Sequence, residues 1–512
     1  MKKGGLNSTV CDYSQMKYLF GDIHDHCGIS YGYGSLENAL VNARSHLDFV
    51  AVTGHAFWPD IPPVTPDTEF LVAFHKKGFA KLKGNYEGNK AIFEKYNKEG
   101  EFTTFIGYEM HSHHFGDHHI VSGDTSIPLL TDAKTPREFY EETKGYKDTV
   151  IIPHHIAYAP EYRGINWDEY DDSLFPVVEV ISKHGCSMSD SHPFPYYHNM
   201  GGRDSRNTVY RGLEKGKQFG FVGSTDHHAG YPGSYGDGCL CVLADNNDRA
   251  GIIDAIKKRH TYALSGDKIK AYFDVDGFIM GDKVSSSISH HTVHYKMDLS
   301  YLLDKAVIYR NLEPIAVING ESFRVVNEKG KYKVRLEFGW GGKKDLLTWD
   351  FDVKLENGKF SSLEKCFRGK SVLAPQEGVE VPEDCNVIDN RASIISDDHL
   401  EGRVQTAKNI NPTTPSTSMV VMEIDGSLDT LLSIKVNDRE VRLKIRDLLN
   451  NSFCYPVGIT NSPSFKVHQA IGESLYRIEG EVEDDIKGNA FYHMEIFQKN
   501  GSVAFLSPVY FN

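Results

Sequence analysis

The sequence predicts an α/β fold with a parallel sheet in the first half of the chain and an all-β fold in the second half. From about 18 to 265, short apolar runs rich in β-branched residues alternate with helical stretches, which is typical of buried parallel strands covered by helices. From about 270 onward, apolar and polar residues alternate with a period of two, and turn signals such as Asn319-Gly320 separate the runs. The change near 270 therefore predicts two different folds in one chain.

The first half contains six apolar runs that we interpret as strands. They are Tyr18–Gly21, Asp48–Thr53, Thr103–Tyr108, Thr149–Pro153, Val177–Ser182 and Phe219–Thr225. After the first run, Ser35 can cap a helix, because its hydroxyl can accept a bond from a free backbone N–H in the first turn. One face of this helix carries Leu36, Ala39, Leu40 and Ala43 at helical spacing. Residues 67–100 are also predicted to be helical.

Chain length predicts more than one hydrophobic core, because 512 residues exceed what a single domain usually contains. We expect an α/β domain over 1–270, where a barrel of about 250 residues would fit. A β-sandwich-like domain is expected over 271–512. Residues near 369–417 are polar and lack periodicity, so they are predicted to form a long insertion.

Composition excludes several classes of protein. Hydrophobic residues make up 40% and charged residues 25% of the chain, which argues against a disordered or fibrous protein. The net charge is −14 without a basic run, so we expect no nucleic-acid partner. The chain has neither a long apolar run nor an apolar secretory signal, so no membrane association is expected. Eight cysteines without a C-x-x-C pair favour reduced thiols and a cytoplasmic protein. The oligomeric state is not indicated.

Histidine is distributed unevenly along the chain. Of 24 histidines, 18 lie in residues 1–260 and only 6 in the remaining 252 residues. Neither solvated faces nor apolar cores require so many imidazoles in one region. The imbalance therefore predicts a metal site or an imidazole-rich pocket in the first half.

Each apolar run of the first half is followed by a potential metal ligand. The carboxyl ends of parallel strands meet on one face of an α/β fold, so these side chains are expected to converge. Imidazoles and carboxylates without cysteine favour Zn, Mn or Fe, and a catalytic rather than a structural site. The predicted ligands are His24, His26, His55, Glu109, His154, His184, Asp226 and His228.

The ordered motifs resemble those of the PHP (polymerase and histidinol phosphatase) superfamily. They are GDIHDH, DFVAVTGH, Glu109, IIPHH, VVEVISKHG and GFVGSTDHH. The resemblance implies a distorted (β/α)7 barrel of TIM-like type, two or three divalent metal ions and the hydrolysis of phosphoesters. It is greatest with the larger members, which carry a C-terminal β-sandwich tail.

The resemblance also implies a role for each predicted ligand. His24 and His26 match the opening pair of ligands, Glu109 the carboxylate that bridges two metals, and His154 and His184 ligands of the second metal. Asp226 and His228 match the closing D-x-H motif, and His55 a ligand of the third metal.

Two departures from the family pattern put the third metal in question. Thr53-Gly54-His55 stands where TDH is usual, and residues 29–34, ISYGYG, lack the usual His or Asp. We therefore expect a dinuclear centre.

The expected chemistry is hydrolysis of a small organic phosphate by a hydroxide that bridges two metals. No Ser/His/Asp set, P-loop or dinucleotide fingerprint is present, so no side-chain nucleophile and no nucleotide cofactor are expected. Candidate proton donors are His227, His155 and His119, and Lys183 is a further catalytic candidate. Arg163, Arg203 and Arg206 are candidates for binding the substrate. The histidines at 111, 113, 114, 118 and 119 fit ligand orientation, acid–base work or plain loop composition equally well.

Aromatic residues in the predicted loops indicate an apolar mouth that suits a substrate with a ring, such as a sugar or nucleoside derivative. They are Phe57, Trp58, Tyr158, Trp167, Phe194, Tyr196, Tyr197, Tyr231 and Tyr235. This mouth and the altered ligand pattern support an alternative function, a metal-dependent hydrolase or lyase that cleaves a C–O or C–N bond, for example in a glycoside. A non-catalytic metal-binding protein is the third interpretation.

Overall fold

The computed structural model describes residues 16–190, 192, 202–285, 289–320, 328–340, 346–370, 372, 382–407, 416–457, 463–486 and 488–512. The strands of the first half are β1 (Lys17–Asp22), β2 (Phe49–Phe57), β3 (Thr103–Met110), β4 (His118–Ser122), β5 (Thr149–Pro153), β6 (Val177–Ser182), β7 (Gly185–Cys186), β8 (Gly220–Gly223), β9 (Cys239–Ala244) and β10 (Thr261–Leu264). The helices of the described residues are α1 (Leu36–Arg44), α2 (Glu69–Tyr96), α3 (Pro136–Thr143), α4 (Val209–Glu214), α5 (Arg249–Lys257) and α6 (Ile445–Leu448).

The second half consists almost entirely of strands. They are β11 (Lys270–Val275), β12 (Phe278–Ile279), β13 (Lys283–Val284), β14 (His290–Asp298), β15 (Leu303–Arg310), β16 (Glu313–Asn319), β17 (Lys329–Gly339), β18 (Leu346–Glu356), β19 (Lys359–Cys366), β20 (Arg391–Ser396), β21 (His399–Ala407), β22 (Ser418–Ser427), β23 (Leu431–Val436), β24 (Arg439–Lys444), β25 (Phe453–Pro456), β26 (Ser464–Val467), β27 (Ile471–Gly472), β28 (Arg477–Asp485), β29 (Ala490–Gln498) and β30 (Val503–Phe511).

The strands of the first half confirm a mixed α/β fold, but not an all-parallel sheet. β1, β2 and β3 pair in parallel, while β4 runs antiparallel between β3 and β5. β9 and β10 are also antiparallel, and β6 and β8 pair in parallel in a separate small sheet with β7. Within the described residues these hydrogen-bonded pairings do not close into a barrel.

The predicted helices follow the sequence pattern. The hydroxyl of Ser35 accepts a hydrogen bond from the Asn38 N–H, and the apolar face of α1 is buried as expected. The much longer α2 lies within the predicted range 67–100 and packs against β2 and β3. In the part of the chain that the structure describes, no helix has both the length and the apolar character that a membrane crossing needs.

The second half contains a sandwich-like pair of sheets. Their strand orders are β19-β22-β17-β26-β25 and β20-β21-β18-β23-β24. Alternate residues of these strands form a shared core that includes Val334, Leu336, Phe351, Val353, Val420, Met422 and Ile434. The insertion predicted near 369–417 contains β20 and β21, and its residues 371, 373–381 and 408–415 lie outside the described residues.

The last two strands, β29 and β30, extend the sheet that contains β1–β5, β9 and β10. One large sheet has the order β16-β15-β29-β30-β10-β9-β1-β2-β3-β4-β5, so the predicted boundary at 270 falls inside a continuous hydrogen-bonded sheet. The Ser507 hydroxyl accepts a bond from the Phe221 N–H at 2.8 Å, and the Tyr510 hydroxyl donates to the Phe219 oxygen at 2.6 Å. β30 therefore supports β8, and the division into two domains stays a prediction.

The same substitution is expected to have opposite effects on the free energy of unfolding at two glycines of α2. A Cβ on Gly78 would lie 2.4 Å from Cδ1 of Tyr31, whereas a Cβ on Gly84 would have nothing within 4 Å. Gly84→Ala should raise the free energy of unfolding by about 1 kcal/mol, because alanine loses less backbone entropy in a helix. Gly78→Ala should lower it, because Tyr31 has to move. Urea unfolding of both variants measures the difference, and equal stabilisation would contradict the contact with Tyr31.

Candidate metal centre

Main-chain hydrogen bonds hold the ends of distant strands in contact. The His26 N–H donates to the His227 oxygen at 2.8 Å, and the Asp226 N–H donates to the His24 oxygen at 2.8 Å. The parallel pairing of β2 with β3 places His55 opposite Glu109. The first and last predicted ligands along the chain are therefore neighbours in space.

All eight predicted ligands are buried and converge around two carboxylates. Asp226 Oδ1 lies 3.0 Å from His26 Nε2 and 3.6 Å from His24 Nε2. Asp226 Oδ2 lies 2.9 Å from His184 Nε2, and Oδ1 lies 3.8 Å from His228 Nδ1. One carboxylate thus contacts four imidazoles.

Glu109 is the second centre of the cluster. Its Oε1 lies 2.9 Å from His154 Nε2, and its Oε2 lies 3.4 Å from His55 Nε2 and 3.6 Å from His26 Nε2. Because His26 contacts both Glu109 and Asp226, the two carboxylates belong to one continuous cluster.

The spacing of the donor atoms fits divalent metals. Ligand atoms bound to one ion at about 2.1 Å lie about 3.0 Å apart at right angles and about 3.4 Å apart in a tetrahedron. The observed separations around Asp226 and Glu109 are close to these values. Groups such as His24–His26–Glu109 and His26–His55–His228 have ligand atoms within 4.8 Å of one another.

Several buried polar atoms of the cluster lack a hydrogen-bond partner among the described residues. They are Glu109 Oε2, His26 Nδ1, His111 Nε2, His119 Nε2 and His155 Nδ1. Buried polar atoms in native proteins are almost always satisfied by a protein group, water or an ion. The donor set and these atoms together fit bound cations.

The electrostatics of the cluster keep its carboxylates ionised and several of its imidazoles neutral. Burial opposes the ionisation of Glu109, but His111 and His55 outweigh it and hold its pKa well below the usual range. Burial is also the main reason why the pKa values of His55 and His228 are well below normal. Neutral imidazoles and ionised carboxylates are the forms that bind metals.

His24 differs from His55 and His228 in the direction of its pKa shift. Burial would lower its pKa, but Asp226 and then Glu179 outweigh that effect and raise it to about 10. The carboxylates are therefore partly compensated by a proton on His24, which a metal ion would have to displace.

Three side chains orient the ligands, although two were not predicted at the site and Tyr158 was predicted only in the aromatic mouth. His24 Nδ1 lies 2.9 Å from Glu179 Oε2, and His55 Nδ1 lies 3.1 Å from the Ser30 hydroxyl. The Tyr158 hydroxyl lies 3.0 Å from His184 Nδ1. Such partners select the ring orientation and the tautomer of a metal-binding histidine. A charged residue in an otherwise apolar strand was the only sequence signal for Glu179.

The histidines of the segment 111–119 separate into different environments. His111 Nδ1 lies 3.0 Å from Glu109 Oε1 and 3.2 Å from Asp117 Oδ2, so it adjoins the cluster. His114 instead pairs with the exposed Glu161. His118 contacts the oxygen of Gly116 through Nδ1. Loop composition alone therefore does not account for the histidines of this segment, since His111 contacts Glu109.

The four predicted catalytic residues also lie in different surroundings. His155 lies in the cluster, with Nε2 3.6 Å from Asp226 Oδ2, and His119 Nδ1 lies 3.1 Å from His154 Nδ1. The ring nitrogens of His227 contact the Lys370 oxygen and the Ala229 N–H instead. Lys183 donates to Asp237 at 3.0 Å. The structure thus brings His155 and His119 to the cluster but directs His227 and Lys183 elsewhere.

Of the three predicted substrate-binding arginines, the structure places one beside the cluster. Arg163 Nη2 lies 3.7 Å from Glu109 Oε1, and the guanidinium also binds Asp117. Arg203 pairs with Asp190, and the largely exposed Arg206 pairs with Asp204.

A cavity of about 280 Å³ adjoins the cluster and has a mostly aromatic lining. Besides cluster residues, it is lined by Tyr31, Trp58, Phe70, Leu71, Phe74, His75, His113, Tyr162 and Arg163. Trp58 is the one residue of the predicted mouth in this set, and Arg163 is a predicted substrate-binding residue. Sequence reasoning missed Tyr31, Tyr162 and the residues of the first two turns of α2, which are Phe70, Leu71, Phe74 and His75.

The other residues of the predicted mouth have different surroundings. Phe57, Trp167 and Tyr231 are buried in the cores, and the hydroxyl of Tyr235 donates to Asp267 at 2.8 Å. Phe194, Tyr196 and Tyr197 lie outside the described residues.

Both departures from the family pattern have a structural explanation. A Cβ on Gly54 would lie 2.8 Å from Cδ1 of Leu82, so an aspartate at this position would have to displace the leucine side chain. In the ISYGYG segment, the ring of Tyr31 stacks on His55 with 3.5 Å between centroids. Aromatic packing thus stands where an acidic or imidazole ligand was expected.

Three residues at the site have left-handed backbone conformations that side chains other than glycine rarely adopt. The φ angles are 51° at Asp226, 56° at His155 and 71° at Arg163. Such conformations carry strain and are concentrated at functional sites.

Comparisons with known proteins give distant likenesses. No family model matches the chain. A protein from Chlamydia trachomatis serovar D is 24% identical over 214 residues, which are 38% of this chain and 33% of that protein. A Chlamydia pneumoniae protein is 26% identical over 212 residues, 37% of this chain and 33% of that protein. Both are named only as uncharacterized proteins, and this chain spans about a third of their length.

One solved structure with a distant likeness is a two-domain protein from Bacteroides vulgatus ATCC 8482, described as containing a predicted PHP-like metal-dependent phosphoesterase. The match has 15% identity and a TM-score of 0.32, and it covers 60% of this chain and 84% of that one. This TM-score is too low to support an assignment of fold or activity.

Glu109→Gln should lower the metal content of the purified protein. The amide keeps the shape of the side chain but removes a negative charge that faces several imidazoles, so cations lose their main anionic ligand. Metal content is measured by elemental analysis beside the wild type. Glu423→Gln, which changes a buried carboxylate of the second half, is the matched control. Full metal content in Glu109→Gln would exclude Glu109 as a ligand.

Glu179→Gln tests the orienting contact to His24. The variant should bind metal about 10- to 100-fold more weakly, because an amide holds the imidazole less firmly than a carboxylate. Competition with a chromophoric chelator measures the affinity. Glu94→Gln, on the exposed side of α2, should bind as the wild type does. Equal affinity of Glu179→Gln and the wild type would show that this contact does not tune the site.

Proposed function

We propose that the protein is a metal-dependent hydrolase of the PHP type that cleaves a small organic phosphate ester. The observation that carries this proposal is the cluster of buried imidazoles around Glu109 and Asp226, whose spacing suits divalent ions. The proposal includes a distorted (β/α)7 arrangement of the first half and a cytoplasmic location.

The residues present fit two ions, which we propose to be Zn, Mn or Fe. His24, His26 and Asp226 would hold the first ion, His154 and His184 the second, and Glu109 would serve both. His55 and His228 are available for a third ion. When bound, such ions lower the pKa of a water molecule and withdraw charge from a phosphoryl oxygen.

Arg163 is the basic residue best placed for the substrate. It lies beside Glu109 and lines the cavity, so its guanidinium can bind an anionic phosphoryl oxygen. Asp117 holds the guanidinium in this position.

His155 is the predicted catalytic residue on the cavity wall, and we propose that it exchanges a proton with the leaving oxygen. Burial, and then the neighbouring His154, hold its pKa well below normal, so the neutral ring is its resting form. The ring therefore has to accept a proton before it can donate one.

Cleavage of a glycoside has less support. Sugars are usually held by side chains that bind hydroxyl groups, and the described lining outside the cluster contains no Asn, Gln, Ser, Thr, Asp or Glu. We keep this reaction as the alternative outcome of the test below.

The wild-type protein should release phosphate from a generic aryl phosphate in the presence of Mn or Zn. A chelator should abolish the reaction and added metal should restore it, because the ions supply the acidity of the attacking water. Arg163→Gln should lower kcat/KM by about 10- to 100-fold through the loss of a charged hydrogen bond. Arg206→Gln is the matched control and should keep wild-type kinetics. Activity on aryl glycosides without activity on phosphates would overturn the proposal in favour of the alternative.

A further inference from the structure

The cavity beside the metal cluster is lined by five aromatic rings besides its histidines. Tyr31, Phe70 and Phe74 form a row, with 4.8 Å between the ring centroids of Tyr31 and Phe74 and 5.8 Å between those of Phe70 and Phe74. Trp58 and Tyr162 both contact the ring of His113, with centroid distances of 4.7 Å and 6.4 Å. We call these five residues the ring slot. Its inner end reaches the cluster, since Tyr31 stacks on His55.

The outer end of the ring slot exposes aromatic surface to solvent. Phe70 is 47% exposed and Tyr162 is 60% exposed, although most aromatic side chains of the described residues are buried. Exposed apolar surface next to a cavity is characteristic of a ligand-binding site.

Part of the polar lining is already engaged. His75 Nδ1 binds the Leu71 oxygen at 2.8 Å, and Arg163 is held by Asp117. The Trp58 Nε1 and His113 Nδ1 atoms are buried. The surface that lines the slot is therefore mainly apolar carbon.

The size of the cavity limits the ligand further. At about 280 Å³ it lies at the lower end of the range of small-molecule pockets, about 300–1,000 Å³. One ring and a phosphate group fit this volume.

We infer that the preferred substrates are phosphate monoesters of alcohols that carry one planar, apolar ring. The ring stacks in the slot between Phe70, Phe74 and Trp58 while the phosphate lies at the cluster. Offset and edge-to-face contacts between aromatic rings favour such a ligand over an aliphatic one of equal charge. The inference rests on the proposed phosphoesterase function and adds the class of the leaving group.

The first experiment compares benzyl phosphate with ethyl phosphate and glucose 6-phosphate. Benzyl and ethyl alcohol have similar acidity, so a difference in kcat/KM reports binding of the ring rather than the reactivity of the leaving group. Burial of the ring should give benzyl phosphate an advantage of about tenfold or more. Equal kcat/KM values for the three esters would overturn the inference while leaving the phosphoesterase function intact.

The second experiment measures binding without turnover. Benzylphosphonate and ethylphosphonate are titrated by calorimetry into the metal-loaded protein, and the benzyl compound should bind about tenfold more tightly. If none of the three phosphate esters is hydrolysed but this preference remains, the ring slot binds aromatic ligands as inferred and the proposed phosphoesterase function is wrong.

A double variant assigns the preference to the slot. Phe70→Ser with Tyr162→Ser removes two exposed rings, so folding should be preserved, and the benzyl preference should fall to about threefold or less. Trp340→Ser, which removes an aromatic side chain of the second half that is 46% exposed, should leave the preference unchanged. An undiminished preference in the double variant would overturn the assignment to these residues.

Discussion

The structure depends on the burial of two carboxylates, Glu109 and Asp226, among imidazoles. Burying an ionised carboxylate costs several kcal/mol unless opposite charges and hydrogen bonds compensate it. Here the compensation comes from strand ends that lie far apart in the sequence, because Asp226 follows β8 whereas His24 and His26 follow β1. Folding of the first half and assembly of the cluster are therefore one event, and metal binding is linked to the stability of the whole sheet.

The second half of the chain also helps to hold the cluster in place. The loop after β8, which carries Asp226 and His228, is held by groups beyond 270. The Val372 oxygen accepts a bond from the His228 N–H at 3.1 Å, and the Asn386 side chain donates to the Ala229 oxygen at 2.9 Å. Together with the contacts from β30 to β8, these bonds make the β-rich half part of the support of the cluster rather than a separate attachment.

The cluster and the ring slot have different origins in the fold. The ligands come from strand ends, whose positions the sheet determines, whereas the slot comes from three loops and from the first turns of α2. Gly78 connects the two, because the absence of a side chain there lets Tyr31 lie against α2 and stack on His55. Variation in α2 can thus change the lining of the cavity without disturbing the predicted ligands, as is common when loops and helix ends surround a rigid sheet.

The sequence by itself determined the mixed α/β character of the first half, the β-rich second half and the identity of the metal-ligand candidates. These follow from local patterns, since apolar runs mark strands and an imidazole or carboxylate follows each run. Only the tertiary structure decided that β4, β9 and β10 are antiparallel, since the direction of pairing is not encoded in the composition of one strand. It also decided that Glu179 and Tyr158 orient ligands, that His227 faces main-chain groups, and that Tyr31 and Phe70 line the cavity. Each of these depends on which residues become neighbours when distant segments pack, and such contacts cannot be derived from the spacing of residues along the chain.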